Sequence, residues 1–162
     1  MELKYVHLGP NEAPPQLPTG LLRVVIVSET TCSDDWRNST ARWLVDGGCL
    51  YAVAWGKECE KWHDAVDWAV LETFDYGDIP DDKFVMTTWH TDEPLSQALW
   101  FAGNCAFHPD VELKQTILLH VANEAKEDEM IAAYAGSQID ECPERLFSVD
   151  SGHSIQIGER RL

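Results

Sequence analysis

Arg23-Val-Val-Ile-Val-Ser-Glu29 is an unbroken β-branched run that ends in a hydroxyl and a carboxylate. A strand with one wet face alternates apolar and polar residues, whereas a continuous apolar run fits a strand covered on both faces, as in a parallel sheet. Three further segments have this character: Cys49–Trp55 (CLYAVAW), Lys83–Trp89 (KFVMTTW) and Thr116–Ala122 (TILLHVA). The intervals between them are long enough to hold the crossovers that parallel strands require.

Each interval carries a helical period. Trp36, Thr40, Trp43 and Leu44 form one apolar face, with Ser33 or Thr31 as the cap and Gly47-Gly48 as a left-handed stop. Trp62, Val66, Ala69, Val70 and Thr73 form the second face, which the turn-forming segment Asp75–Asp82 (DYGDIPDD) interrupts. Leu95, Ala98, Leu99, Ala102 and Cys105 form the third, starting in Thr91-Asp92-Glu93-Pro94, where caps and first-turn acids belong. Asn123 is placed to cap a fourth helix through about Ser137, burying Met130, Ile131 and Tyr134. The order predicts a single-domain, three-layer α/β fold around a mostly parallel, four-stranded, doubly wound sheet of Rossmann-like or flavodoxin-like kind.

The ends read differently. Pro10, Pro14, Pro15 and Pro18 make residues 1–20 an extended arm before a domain over 21–139. The tail, 140–162, holds alternating runs on either side of Asp150-Ser151-Gly152, the pattern of a C-terminal β-hairpin.

A chain of 162 residues with 44% hydrophobic content and seven Trp has the material for a real core. It has no apolar run of the roughly 20 residues that cross a bilayer, and its N-terminus lacks a leader pattern, so a cytoplasmic protein without a membrane segment is expected. Cys32, Cys49, Cys59, Cys105 and Cys142 are odd in number and without C-x-x-C spacing, which fits reduced thiols. Cys105 and His108 form a C-x-x-H pair with no second pair to complete a zinc tetrahedron, so no metal is expected.

The net charge of -16 is unevenly spread. Between Lys57 and Glu93, eleven acids face three lysines; between Glu124 and Glu144, seven face Lys126 alone. Such a surface repels phosphate backbones, excludes direct nucleic-acid binding and steers a basic protein inward; it also serves solubility. The candidate partner-binding residues are Glu58, Glu60, Asp64, Asp67, Asp75, Tyr76, Asp78, Asp81 and Asp82. Trp36, Trp43, Trp62, Trp68 and Trp100 are assigned to packing.

Open α/β sheets bind ligands at the carboxyl ends of their strands. Those ends deliver Glu29, His90, Asp92 and His120, the candidate catalytic set, since imidazole and carboxylate together move protons. The competing reading makes His90 and Asp92 helix-capping groups and His120 a core histidine. No phosphate-binding glycine loop or nucleophile elbow is present, and Glu29, Asp34 and Asp35 in the first turn oppose a pyrophosphate, so no cofactor is expected. Cys32 at a helix start is a weak nucleophile candidate, because Asp34 and Asp35 oppose its thiolate.

Phe84–Phe101 (FVMTTWHTDEPLSQALWF), with the nearby AWG and FDYGDIPDD, resembles a family of small uncharacterised bacterial proteins. The resemblance covers about the middle half of the chain. It implies bacterial origin and no activity. The expected function is a non-enzymatic acidic protein-binding module, such as an immunity protein or inhibitor of a basic, nuclease-like toxin or a component of a bacterial defence system. The alternatives are a Rossmann-like enzyme or ligand sensor with its site at the strand ends, and a structural subunit of a larger complex.

Overall fold

In the computed structural model, which describes residues 2–139 and 154–158, the run around Val25 is strand β2 (Leu22–Ser28), buried along its whole length. It follows β1 (Glu2–Leu8) and leads through α1 (Asp34–Asp46) to β3 (Cys49–Gly56) and through α2 (Cys59–Thr73) to β4 (Met86–Thr91). From there α3 (Leu95–Asn104), β5 (Gln115–Val121), α4 (Glu127–Ile139) and β6 (Ser154–Gly158) complete the described elements. The sheet order is β1-β5-β2-β3-β4-β6. The first five strands are mutually parallel and β6 runs antiparallel to β4. Read from β4 to β5, the inner four strands stand third, second, first and fourth in order of their appearance, the order of the first four strands of a Rossmann sheet.

Alternation along β4 assigns the layers. Thr87 and Trp89 meet Asp67 and His63 of α2, while His90 meets Phe101 of α3. Residues of opposite parity therefore face opposite helix pairs, α1 with α2 on one side and α3 with α4 on the other. Trp62, Val66, Ala69 and Val70 are buried as the helical period predicts, but Thr73 is exposed and bonds back to the Ala69 carbonyl at 2.8 Å. Ser33 caps α1 by accepting from the Trp36 N–H, and the positive φ of the stop falls on Gly48 (φ 102) while Gly47 stays right-handed.

Three expectations are corrected. The first concerns strand number, which is five parallel strands because Glu2–Leu8 pairs with β5 along its length. Of the expected arm, only the proline-rich part behaves as one, and it is strapped to α1: the Trp36 indole N–H donates to the Glu12 carbonyl and the Trp43 indole N–H to the Pro15 carbonyl, each at 2.9 Å. The second concerns β4, which begins at Met86, because Asp81–Lys83 forms a 3-10 turn that takes Lys83 out of the strand, and which continues past Trp89 to Thr91. The third concerns helix starts. α3 has Pro94 at its cap with no side-chain cap bond, and α4 begins at Glu127, with the Met130 N–H on the Lys126 carbonyl, so Asn123 lies outside it. One arm of the expected hairpin is β6; its Asp150–Gly152 turn lies outside the described residues.

Candidate functional site

His90 and His120 occupy one row of the sheet. The register aligns His7, His120, Val27, Trp55 and His90 across β1, β5, β2, β3 and β4. Three strand spacings of about 4.8 Å separate the two imidazoles, roughly 14 Å, so they share a face without sharing a site. Each has its own carboxylate.

The His90 pair is closed. His90 Nδ1 bonds Glu93 Oε1, its Nε2 lies 3.1 Å from the Thr88 hydroxyl, and neither the His90 nor the Glu93 side chain reaches solvent. The Trp55 indole N–H donates to the Glu93 carbonyl at 2.8 Å, locking the turn from β4 into α3. Asp92 stands exposed in that turn at φ 58 and joins no site. The pair is therefore a buried polar tie between strand and turn, neither the capping group nor the accessible catalyst that the sequence offered as readings.

The His120 pair is open. Its position follows from topology: the loop after β2 runs to α1 on one face and the loop after β5 to α4 on the other, which makes the crevice between these neighbours the point where the strand order reverses. The Glu29 N–H donates to the Val121 carbonyl at 2.9 Å, and the Lys57 N–H to the Ser28 carbonyl at 2.8 Å, so the end of β2 is held from both sides. Glu29 Oε1 receives His120 Nε2. The His120 side chain is fully buried while that of Glu29 is 38% exposed. Behind them, Tyr5 Oη lies 2.7 Å from His120 Nδ1 and accepts the Lys126 N–H at 3.0 Å. Burial raises the Tyr5 pKa, partly offset by the Lys126 N–H and reinforced by Glu127 and Glu29, so the phenol keeps its proton.

The nine partner-binding candidates divide. Glu60, Asp64, Asp75, Tyr76, Asp78, Asp81 and Asp82 are exposed. Glu58 is engaged by Arg37 and by Lys61. Asp67 is no surface group: it is 8% exposed and accepts the Thr87 hydroxyl at 2.8 Å across the α2–β4 interface. In its place stands Trp68, assigned to packing by the sequence and found 54% exposed. Its ring meets that of Tyr76, itself 57% exposed, at 6.5 Å and an interplanar angle of 67°. The helical phase held the signal, since Trp68 lies between Asp64 and Glu72 at i−4 and i+4, on the polar face.

Burial also decides the thiols. It raises the pKa values of Cys32 and Cys59 and pushes Cys49 up to about 12. Thiolate, the reactive form, is thereby suppressed at neutral pH. Iodoacetamide at pH 7.5 is expected to modify Cys32 at least about tenfold more slowly than free glutathione and to leave Cys49 and Cys59 untouched until the chain unfolds, as peptide mass spectrometry would record. Among the described residues no group of three or more His, Cys, Asp or Glu side chains is arranged to hold a metal, and His108 instead bonds the Phe84 carbonyl at 2.7 Å. No described helix is long and apolar enough to cross a membrane.

No curated protein and no solved structure matches the chain. A family does match, over residues 3–137, a span that takes in the strapped arm, the crevice and the Trp68 face. The chain thus belongs to the family described as Domain of unknown function (DUF7684).

Proposed function

We propose that the protein is an acidic binding module that docks a basic protein partner on the face formed by α2 and the connector after it. The supporting observation is the Trp68–Tyr76 pair, two large aromatics held half-exposed at 6.5 Å within a field of carboxylates. Asp64 stands one turn to one side of Trp68 and Glu72, paired with Arg42 at 2.9 Å, one turn to the other, and Asp75, Asp78, Asp81 and Asp82 follow in the connector. Aromatic faces ringed by carboxylates suit lysine and arginine side chains, which gain from both the ring quadrupole and the negative field.

The backbone contributes. Asp75 and Tyr76 are both left-handed, at φ 52 and 59, a conformation that costs a non-glycine residue about 1 kcal/mol or more. The turn is held there by the Tyr76 N–H on the Leu71 carbonyl at 2.8 Å and the Gly77 N–H on the Phe74 carbonyl at 2.9 Å. Its result is to set Tyr76 against Trp68. Beside them a groove of about 310 Å³ between α1 and α2, lined by Asn38, Ala65, Trp68, Ala69 and Glu72, offers a seat for one side chain. An immunity protein or inhibitor of a basic toxin is the finer form of this reading, because complementary charge speeds encounter and a buried aromatic slows release.

The test is paired affinity capture, followed by binding kinetics with the purified partner. A basic protein retained by the wild type is expected to bind Trp68→Ala about 30-fold or more weakly, the loss of an aromatic anchor. Its association rate is expected to fall with added salt. A partner held equally by Trp68→Ala and Tyr76→Ala, or one whose association ignores salt, overturns the reading.

A further inference from the structure

We propose that the crevice between β2 and β5 is a binding site for a small organic cation, a primary amine or guanidinium, with Glu29 as its counter-ion and His120 and Tyr5 as positioning residues.

Tyr5 Oη accepts the Lys126 N–H and lies 2.7 Å from His120 Nδ1, to which it can give its single hydrogen. His120 Nε2 is then the donor to Glu29. In this arrangement the relay Tyr5–His120–Glu29 orients the carboxylate and asks no second ring proton of the imidazole. No lysine or arginine pairs with Glu29 among the described residues.

A histidine packed on this sheet does not need such a partner. Half-buried His7, one strand away in the same row, is satisfied by the Ala122 carbonyl at 2.8 Å, and buried His108 by the Phe84 carbonyl at 2.7 Å. Buried His63 and His90 also meet carboxylates, Asp64 on α2 and the fully buried Glu93, but among the described residues His120 alone meets one where the strand order reverses. Acids outnumber bases around it. The two helices that begin here carry acids in their first turns, Asp34 and Asp35 on α1 and Glu127, Asp128 and Glu129 on α4, which offset the attraction that helix N-termini hold for phosphate. Arg37, the nearest cation on α1, is 3% exposed and committed to Asp34 and Glu58, leaving Lys126 and Lys57 as the exposed bases of the adjoining loops. The crevice is thus built for the opposite charge from that of the nucleotides such folds commonly take.

The experiment is a titration of the full chain with agmatine and, separately, putrescine and inorganic phosphate, followed by the ring resonances of His120. Either cation is expected to shift them saturably, with a dissociation constant in the millimolar range or below at low salt, and about tenfold more weakly in Glu29→Gln. Tyr5→Phe, which frees His120 to change tautomer, is expected to weaken binding about threefold, with the carboxylate retained. Trp68→Ala should bind the cation as the wild type does, which separates this site from the docking face. The absence of a saturable shift with both cations, an equal shift in Glu29→Gln, or saturation by phosphate instead would overturn the proposal.

Discussion

His90→Ala is expected to destabilise the protein by about 3–5 kcal/mol, read as a lower midpoint of urea unfolding at unchanged slope. The side chain lies within a fully buried pair, and its removal takes the hydrogen bond from Glu93 Oε1. Glu93 Oε2 already has no protein partner, nor does the buried Gln97 Oε1 one helical turn on. Both oxygens of a carboxylate shut away from water would then be unanswered, where desolvation is most costly. The double variant His90→Leu/Glu93→Leu removes the polar demand together with its supply and is expected to recover to within about 1 kcal/mol of the wild type. Recovery would mark the pair as a structural tie. A His90→Ala variant that unfolds like the wild type would show that the turn does not depend on it.

A comparable loss, about 3 kcal/mol or more, is expected of Gly56→Ala. Gly56 ends β3 at φ 98, and a β-carbon there would sit 2.1 Å from the Ser28 carbonyl oxygen and 3.0 Å from its carbon. Both are backbone atoms, so relief requires moving the end of β2 itself. The same carbonyl accepts the Lys57 N–H, and the next residue is Glu29, so the change should also loosen the crevice. Gly136→Ala in α4 is the matched control: nothing lies within 4 Å of its added carbon, and an exposed helical glycine replaced by alanine should gain about 0.5–1 kcal/mol. Thermal unfolding of the two variants side by side would show opposite shifts.

The strands that sequence identified well are those whose burial leaves no ambiguity. β2, β3 and β5 are continuous apolar runs because sheet and helices cover both faces. Phe84 and Val85 are buried yet lie outside β4, which shows that hydrophobicity reports burial and not the ladder. β1 escaped because an edge strand with Glu2, Lys4 and His7 among its apolar residues resembles a polar, extended arm, and the prolines after it strengthen that impression. Its parallel partner is determined only by the rest of the fold.

The site divided along the same line. Glu29 and His120 were legible because strand ends at a reversal of strand order hold ligands in this architecture, and both lie at β2 and β5. Tyr5 was not, since its contact with His120 spans 115 positions and exists only once β1 has docked. His90 occupies an equivalent place at the end of its own strand, but α3 lays Phe101 over it at 4.8 Å, and no local pattern announces whether a following helix will cover or spare its turn.

The late arrival of β1 has a consequence for biosynthesis. Glu2–Leu8 precedes every other described strand yet pairs with β5, the last of the described parallel strands, so assembly of the sheet cannot follow the direction of translation. Until Gln115–Val121 emerges, Glu2–Leu8 has no template, and until the two join, one margin of β5 offers its amides to any passing chain. The nascent protein is most vulnerable to mispairing in that interval, and the strap of indoles over residues 12–15 keeps the waiting segment tethered close to its eventual berth.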